Sequence, residues 1–158
     1  MWQRLIVFVA LLTAVSAQSK PDPAFRAVEG TFFALSVQDV EASARWYSNA
    51  FGLTIASRPS AADPAVVLLT GNGLEIELMA FKNSTAAADP FDAKGPHPRG
   101  IVKVGFVVAD LDRTLAALRA KGVAIAMGPF PARRDQRANA VIKDNSGNLI
   151  QVLGAYAR

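Results

Sequence analysis

The chain has 158 residues, a formal net charge of +4, one histidine and no cysteine. The lack of thiols excludes disulfides, a cysteine nucleophile, thiolate metal ligands and a lipid-modified N-terminal cysteine. The positive charge is scattered, and its one local cluster, Arg133, Arg134 and Arg137 beside Asp135, reads as a solvated loop. A nucleic-acid surface calls for a denser basic stripe interleaved with aromatic residues, so no nucleic-acid partner is expected.

In chain order, Trp2, Gln3 and Arg4 precede an apolar run from Leu5 to Val15 that ends in Val15-Ser16-Ala17. A basic start, a short apolar stretch and small residues at a cleavage point make the pattern of an export signal. Residues 1–17 are therefore expected to be removed and the mature protein to be periplasmic or extracellular. The run is about half of the roughly 20 apolar residues that a spanning helix needs, which argues against a retained membrane anchor. Residues 18–30 carry Pro21 and Pro23 without a sustained period and read as a flexible lead-in. The stretch 31–156 has the size of one domain.

From Phe32 to Val37 the residues alternate, with Phe33, Leu35 and Val37 on one face and Phe32, Ala34 and Ser36 on the other, the period of a strand. Asp39 is placed to cap a helix whose apolar positions Val40, Ala44, Tyr47 and Phe51 recur at helical spacing and stop at Gly52. Trp46 and Tyr47 at this spacing are expected to pack on the sheet.

The same pattern occurs twice. Val37-Gln38-Asp39-Val40 returns as Val108-Ala109-Asp110-Leu111, followed by a second helix with Leu111, Leu115 and Leu118 on one side and a stop at Gly122. Gly73 to Leu78 returns as Gly147 to Val152. Each half thus reads as strand, helix and about three strands, module one at 31–81 and module two at 101–156. The connector, 82–100, holds Pro90, Pro96 and Pro98 without a period; His97 between two prolines reads as a loop residue. Gly71-Asn72-Gly73 is a turn, and Asp144-Asn145-Ser146-Gly147-Asn148 is the turn that delivers the last strand.

Leu35 to Val40 running into Ser43, Trp46-Tyr47 and Phe51-Gly52, then Phe106 to Leu111, then Asp144 to Asn148 before a final strand together resemble the vicinal oxygen chelate superfamily. This group includes glyoxalase I, extradiol dioxygenases, and fosfomycin and bleomycin resistance proteins. The resemblance covers residues 31–155. It implies an α+β fold of two βαβββ modules forming a curved, cup-shaped mixed sheet with the helices outside, and it is compatible with a homodimer.

In metal-dependent members of that superfamily, four positions facing into the cup hold a divalent ion, typically through histidines and glutamates. The resemblance lays these positions on Phe32, Glu77, Lys103 and Gln151. Only Glu77 keeps a ligand of the family's type. Phenylalanine has no lone pair to offer, and a protonated ammonium at coordinating distance repels a divalent ion by many times thermal energy. One carboxylate and one amide are too few donors for zinc or iron. A shift of register would bring Glu75 inward without creating a histidine. No cofactor is expected, and a divalent metal is disfavoured.

Glu77 and Lys103 are then the candidate catalytic pair, read in one of two ways. They fill the old metal space as a mutual ion pair, or Lys103 meets an anionic or carbonyl-bearing ligand while Glu77 acts as acceptor or general base. Phe32, Glu75, Met79, Val107 and Gln151 are the expected ligand-binding residues, with Phe32, Met79 and Val107 as an apolar wall. The preferred function is an exported module that binds a small organic molecule without a metal. A metal-dependent lyase or dioxygenase of the glyoxalase type and a non-catalytic assembly protein stand as the alternatives.

Overall fold

The structure, a computed structural model, describes residues 30–86, 91, 94, 99–134 and 136–155. The export signal, most of the lead-in, His97 and Tyr156 lie outside the described residues. Among the described residues no helix is long and apolar enough to cross a membrane.

The first half runs β1 (Thr31–Ser36), α1 (Val40–Phe51), β2 (Thr54–Ser60), β3 (Ala65–Gly71) and β4 (Leu74–Ala80). The second repeats it as β5 (Val104–Val108), α2 (Leu111–Ala120), β6 (Ile125–Phe130), β7 (Asn139–Lys143) and β8 (Leu149–Gly154). The strand orders are β1-β4-β3-β2 and β5-β8-β7-β6, with one parallel pair in each, β1 with β4 and β5 with β8. A parallel pair needs a crossover to bring the chain back, and the amphipathic helix begins it in each half. The fold is α+β, as the family resemblance implies, and the two sheets stay open and separate.

Each helix starts and ends where its caps dictate. Asp39 Oδ1 accepts from the backbone N–H groups of Glu41 at 2.8 Å and Ala42 at 3.0 Å, and Asp110 Oδ1 accepts from that of Arg113 at 2.9 Å. Both satisfy donors that the first helical turn leaves open. Gly52 ends α1 in the left-handed region at φ 69°, which only glycine adopts without strain. At the end of α2, Gly122 N–H donates to Arg119 O and Val123 N–H to Leu118 O, the paired closing bonds that turn a chain out of a helix. Leu53 and Val123 follow the two stops and are both buried, so the halves match in packing as well as in order.

Burial follows the pleat. In β4, Ile76 and Leu78 are buried on the helix side; in β8, Ile150 and Val152 are. With Tyr47, Leu69, Leu115 and Ile142 they belong to one apolar cluster fed by both halves. Removing such side chains from water is the main favourable contribution to folding. Trp46 and Tyr47 pack as expected: Tyr47 is fully buried, and Trp46 meets its ring edge-on at 4.9 Å between centroids.

The halves join through side chains. Phe106 of β5 stacks on Phe33 of β1 at 6.0 Å and meets Phe51 of α1 edge-on at 5.2 Å. Lys121, just past α2, donates from Nζ to Ala50 O at 3.3 Å, and Asn49 Nδ2 donates to Lys121 O at 3.2 Å. A cation at the carbonyl end of α1 is favourably placed in that helix's field.

Candidate functional site

The faces turned away from the helices carry the residues expected to bind. Register in the first sheet pairs Phe32 with Glu75, Ala34 with Glu77, and Ser36 with Met79. Across the other edge of β4, Glu75, Glu77 and Met79 pair with Thr70, Leu68 and Val66. Phe32, Glu75, Glu77 and Met79 therefore share one face, with Glu77 half-buried between Ala34 and Leu68 and Phe32 57 % exposed. An aromatic ring left this open beside two carboxylates is not core filling.

In the second sheet, Val107 lies 56 % exposed on β5, on the face that also holds Gly105. Gly105 pairs with Gln151 on β8, and Val141 of β7 flanks Gln151 on the other side. Gln151 is held: its Nε2 donates to Asn139 Oδ1 at 2.9 Å, and Asn139 Nδ2 donates in turn to Arg137 O at 3.0 Å.

The expected Glu77–Lys103 ion pair does not form among the described residues; Lys103 stands exposed just before β5, its ammonium 5.9 Å from the centroid of the Phe91 ring. The physical reason is that Glu77 is only half-buried, so water solvates its carboxylate and a mutual ion pair is not obligatory.

An open cavity of about 650 Å³ lies on the second module, lined by Phe130, Pro131, Arg133, Arg137, Asn139 and Gln151, with Gln136 and Leu153 completing it. Of the residues expected to bind, Gln151 alone is in this lining. The arginine cluster read from the sequence as a solvated loop thus borders a concavity. Only the β6 strand end and the turn that follows it could have signalled this, and neither has a periodic pattern. Residues 31–152 match the family model for the Glyoxalase/Bleomycin resistance protein/Dioxygenase superfamily.

The chain belongs to this superfamily. Among similar solved structures is the genomically encoded fosfomycin resistance protein FosX from Listeria monocytogenes, with 13% sequence identity, 81% of this chain and 91% of that chain covered, and a TM-score of 0.61. TnmS3, an antibiotic binding protein from Streptomyces sp. CB03234, is 21% identical, covers 82% of this chain and 98% of that one, and gives a TM-score of 0.55. A glyoxylase/bleomycin resistance protein/dioxygenase domain from Frankia sp. EAN1pec is 18% identical over 83% of this chain and 93% of that one, with a TM-score of 0.62. At these identities the likeness carries the fold. No curated protein matches the chain's sequence significantly.

The superfamily's metal positions can be tested against the donors present. Phe32 offers none, Lys103 is a cation beside an aromatic ring, and Gln151, whose Nε2 donates to Asn139, offers only a neutral amide oxygen. Glu77 is left as the single anionic donor, and this set does not fit a zinc or iron ion that wants three or four protein ligands.

Proposed function

We propose that this superfamily member is an exported module that binds a small organic molecule on the open faces of its sheets without the divalent metal of the superfamily's metal-dependent members. The observation that carries the reading is the combination of exposed apolar side chains, Phe32 and Val107, with the single anionic donor Glu77 at the four family positions. Apolar surface with a few convergent polar groups suits a binding site, and too few donors remain for metal chemistry. Glu77 would accept a hydrogen bond from a ligand N–H or O–H, and Lys103 would meet an anionic or carbonyl-bearing group. The similarity to an antibiotic binding protein and to a fosfomycin resistance protein supports a small-molecule ligand. The apolar run before Val15-Ser16-Ala17 supports export.

Two measurements test this on purified protein. A thermal-stability screen against a small-molecule library of mixed charge should find at least one compound that raises the melting temperature, since selective binding to the folded state stabilises it by mass action. Elemental analysis should find no stoichiometric zinc, nickel, iron or manganese. A bound transition metal at one equivalent would overturn the proposal in favour of a lyase or dioxygenase. A library without a single hit would favour an assembly role.

A further inference from the structure

We infer that the cavity on the second module is an organic-acid site, in which Arg133 takes the ligand's carboxylate and Phe130 its apolar body. The inference rests on the small-molecule reading above and names the chemistry of the ligand.

Among the described residues, the cavity lining contains two guanidinium groups and three side-chain amides and no carboxylate. An anion entering it meets two guanidinium groups and the N–H donors of side-chain amides. A planar guanidinium matches a carboxylate with two parallel N–H donors, which makes such pairs stronger and more directional than a point charge. Arg133 is the key group, because it is exposed at the cavity where Arg137 is half-buried.

The loop that carries Arg133 is shaped by the backbone. Arg133 N–H donates to Gln136 O at 2.9 Å and Gln136 N–H to Arg133 O at 3.1 Å, closing a tight turn that puts two lining residues side by side. On the floor, Gln151 is tied to Asn139 and Asn139 to the backbone at Arg137, so the amides are oriented before a ligand arrives. Such preorganisation lowers the ordering cost of binding.

The apolar half is equally specific. Phe130 is 48 % exposed at the end of β6, opposite Asn139 in the sheet register, and Pro131 and Leu153 line the same cavity. A bare inorganic anion would leave this surface unused. An aryl or alkyl carboxylate covers it while its charge reaches the arginine.

The test uses 2-naphthoate, its neutral counterpart 2-naphthamide, and inorganic phosphate, each titrated calorimetrically against the full mature protein. The expected result is that 2-naphthoate binds and the other two bind at least about tenfold more weakly. Arg133→Gln, on an exposed loop, should keep the melting temperature and weaken 2-naphthoate about ten- to hundredfold. Phe130→Ala should weaken it without changing the response to phosphate. Equal binding of naphthoate and naphthamide, an unaffected Arg133→Gln variant, or phosphate as tight as naphthoate would each overturn the inference. If neutral compounds from the library bind while no carboxylate does, this inference fails and the broader proposal stands. If nothing of any charge binds, both fail.

Discussion

The Tyr47 hydroxyl of α1 donates a 2.9 Å hydrogen bond to Asp144 Oδ2 at the turn between β7 and β8, so a helix of the first module is latched to a hairpin of the second inside the protein. Asp144 is 6 % exposed and fully used: its Oδ1 accepts from the backbone of Ser146 and Asn148, and its Oδ2 also accepts from Asn148 Nδ2 at 2.9 Å. The same turn reaches β1, with Asn148 Nδ2 donating to Ser36 O at 3.2 Å and Gln38 N–H to Ser146 Oγ at 3.1 Å. The family's Asp-to-Asn turn thus serves here as a joint between halves.

Tyr47→Phe removes one donor from a buried carboxylate and keeps the ring packing. Hydrogen bonds to charged groups contribute about 1.5–3 kcal/mol, so urea denaturation should show a loss of that size. Asp144→Ala should cost more, because it strands the Tyr47 hydroxyl and empties the turn of its acceptor. Equal stability of wild type and Tyr47→Phe would remove the latch from the account.

The same pair predicts an alkaline signature. Burial, then the charge of Asp144, then the hydrogen bond to it hold the Tyr47 hydroxyl well above the ordinary phenol range. A group whose folded pKa is raised stabilises fully below its unfolded value, here about 10, and loses that contribution as pH rises toward the folded value. Above pH about 10 the unfolded chain releases the proton and the folded chain keeps it, so wild-type stability falls by up to about 1.4 kcal/mol per pH unit from this group. Tyr47→Phe lacks that loss. The stability gap between the two proteins should therefore narrow above pH 10, measured by denaturant titration at several pH values.

Gly105 is required by a close approach. A Cβ built there would lie 2.8 Å from Gln151 O, across the β5–β8 ladder. Gly105→Val should spread that pair and cost about 1–3 kcal/mol by overpacking, with amide exchange rising at Phe106 and Val152. Wild-type protection in β5 and β8 of the variant would refute the packing argument.

The open faces should behave as surfaces with a use. Phe32→Ala, Val107→Ser and Lys103→Met each alter an exposed side chain, and surface substitutions of this kind stay within about ±0.5 kcal/mol. Thermal denaturation should therefore leave all three near wild type, while at least one of them weakens any hit from the ligand screen. A large loss for Lys103→Met would restore the ion pair with Glu77 as a structural element.

Dialysis against a strong chelator should leave the melting temperature unchanged, since Phe32 and Lys103 give a divalent ion no donor and the Gln151 amide oxygen beside Glu77 makes too few. A drop of several degrees, reversed by adding back one metal, would show a site the family positions do not describe.

Much of this architecture is set by local chemistry that a single sequence displays. Asp39 and Asp110 start helices and Gly52 and Gly122 end them through bonds and dihedral angles that involve only near neighbours. The alternation in β1, β4 and β8 sorts faces because the pleat has a period of two. The repetition of these signals in the same order makes the duplicated fold legible. Tertiary structure alone decided that Tyr47 and Asp144 meet, that Lys103 lies over Phe91 away from Glu77, and that Arg133, Phe130 and Gln151 share a cavity. Those contacts join residues far apart in the chain or carried on irregular loops, where no periodicity exists to read and the outcome depends on how the two sheets dock and on which charges water can still reach.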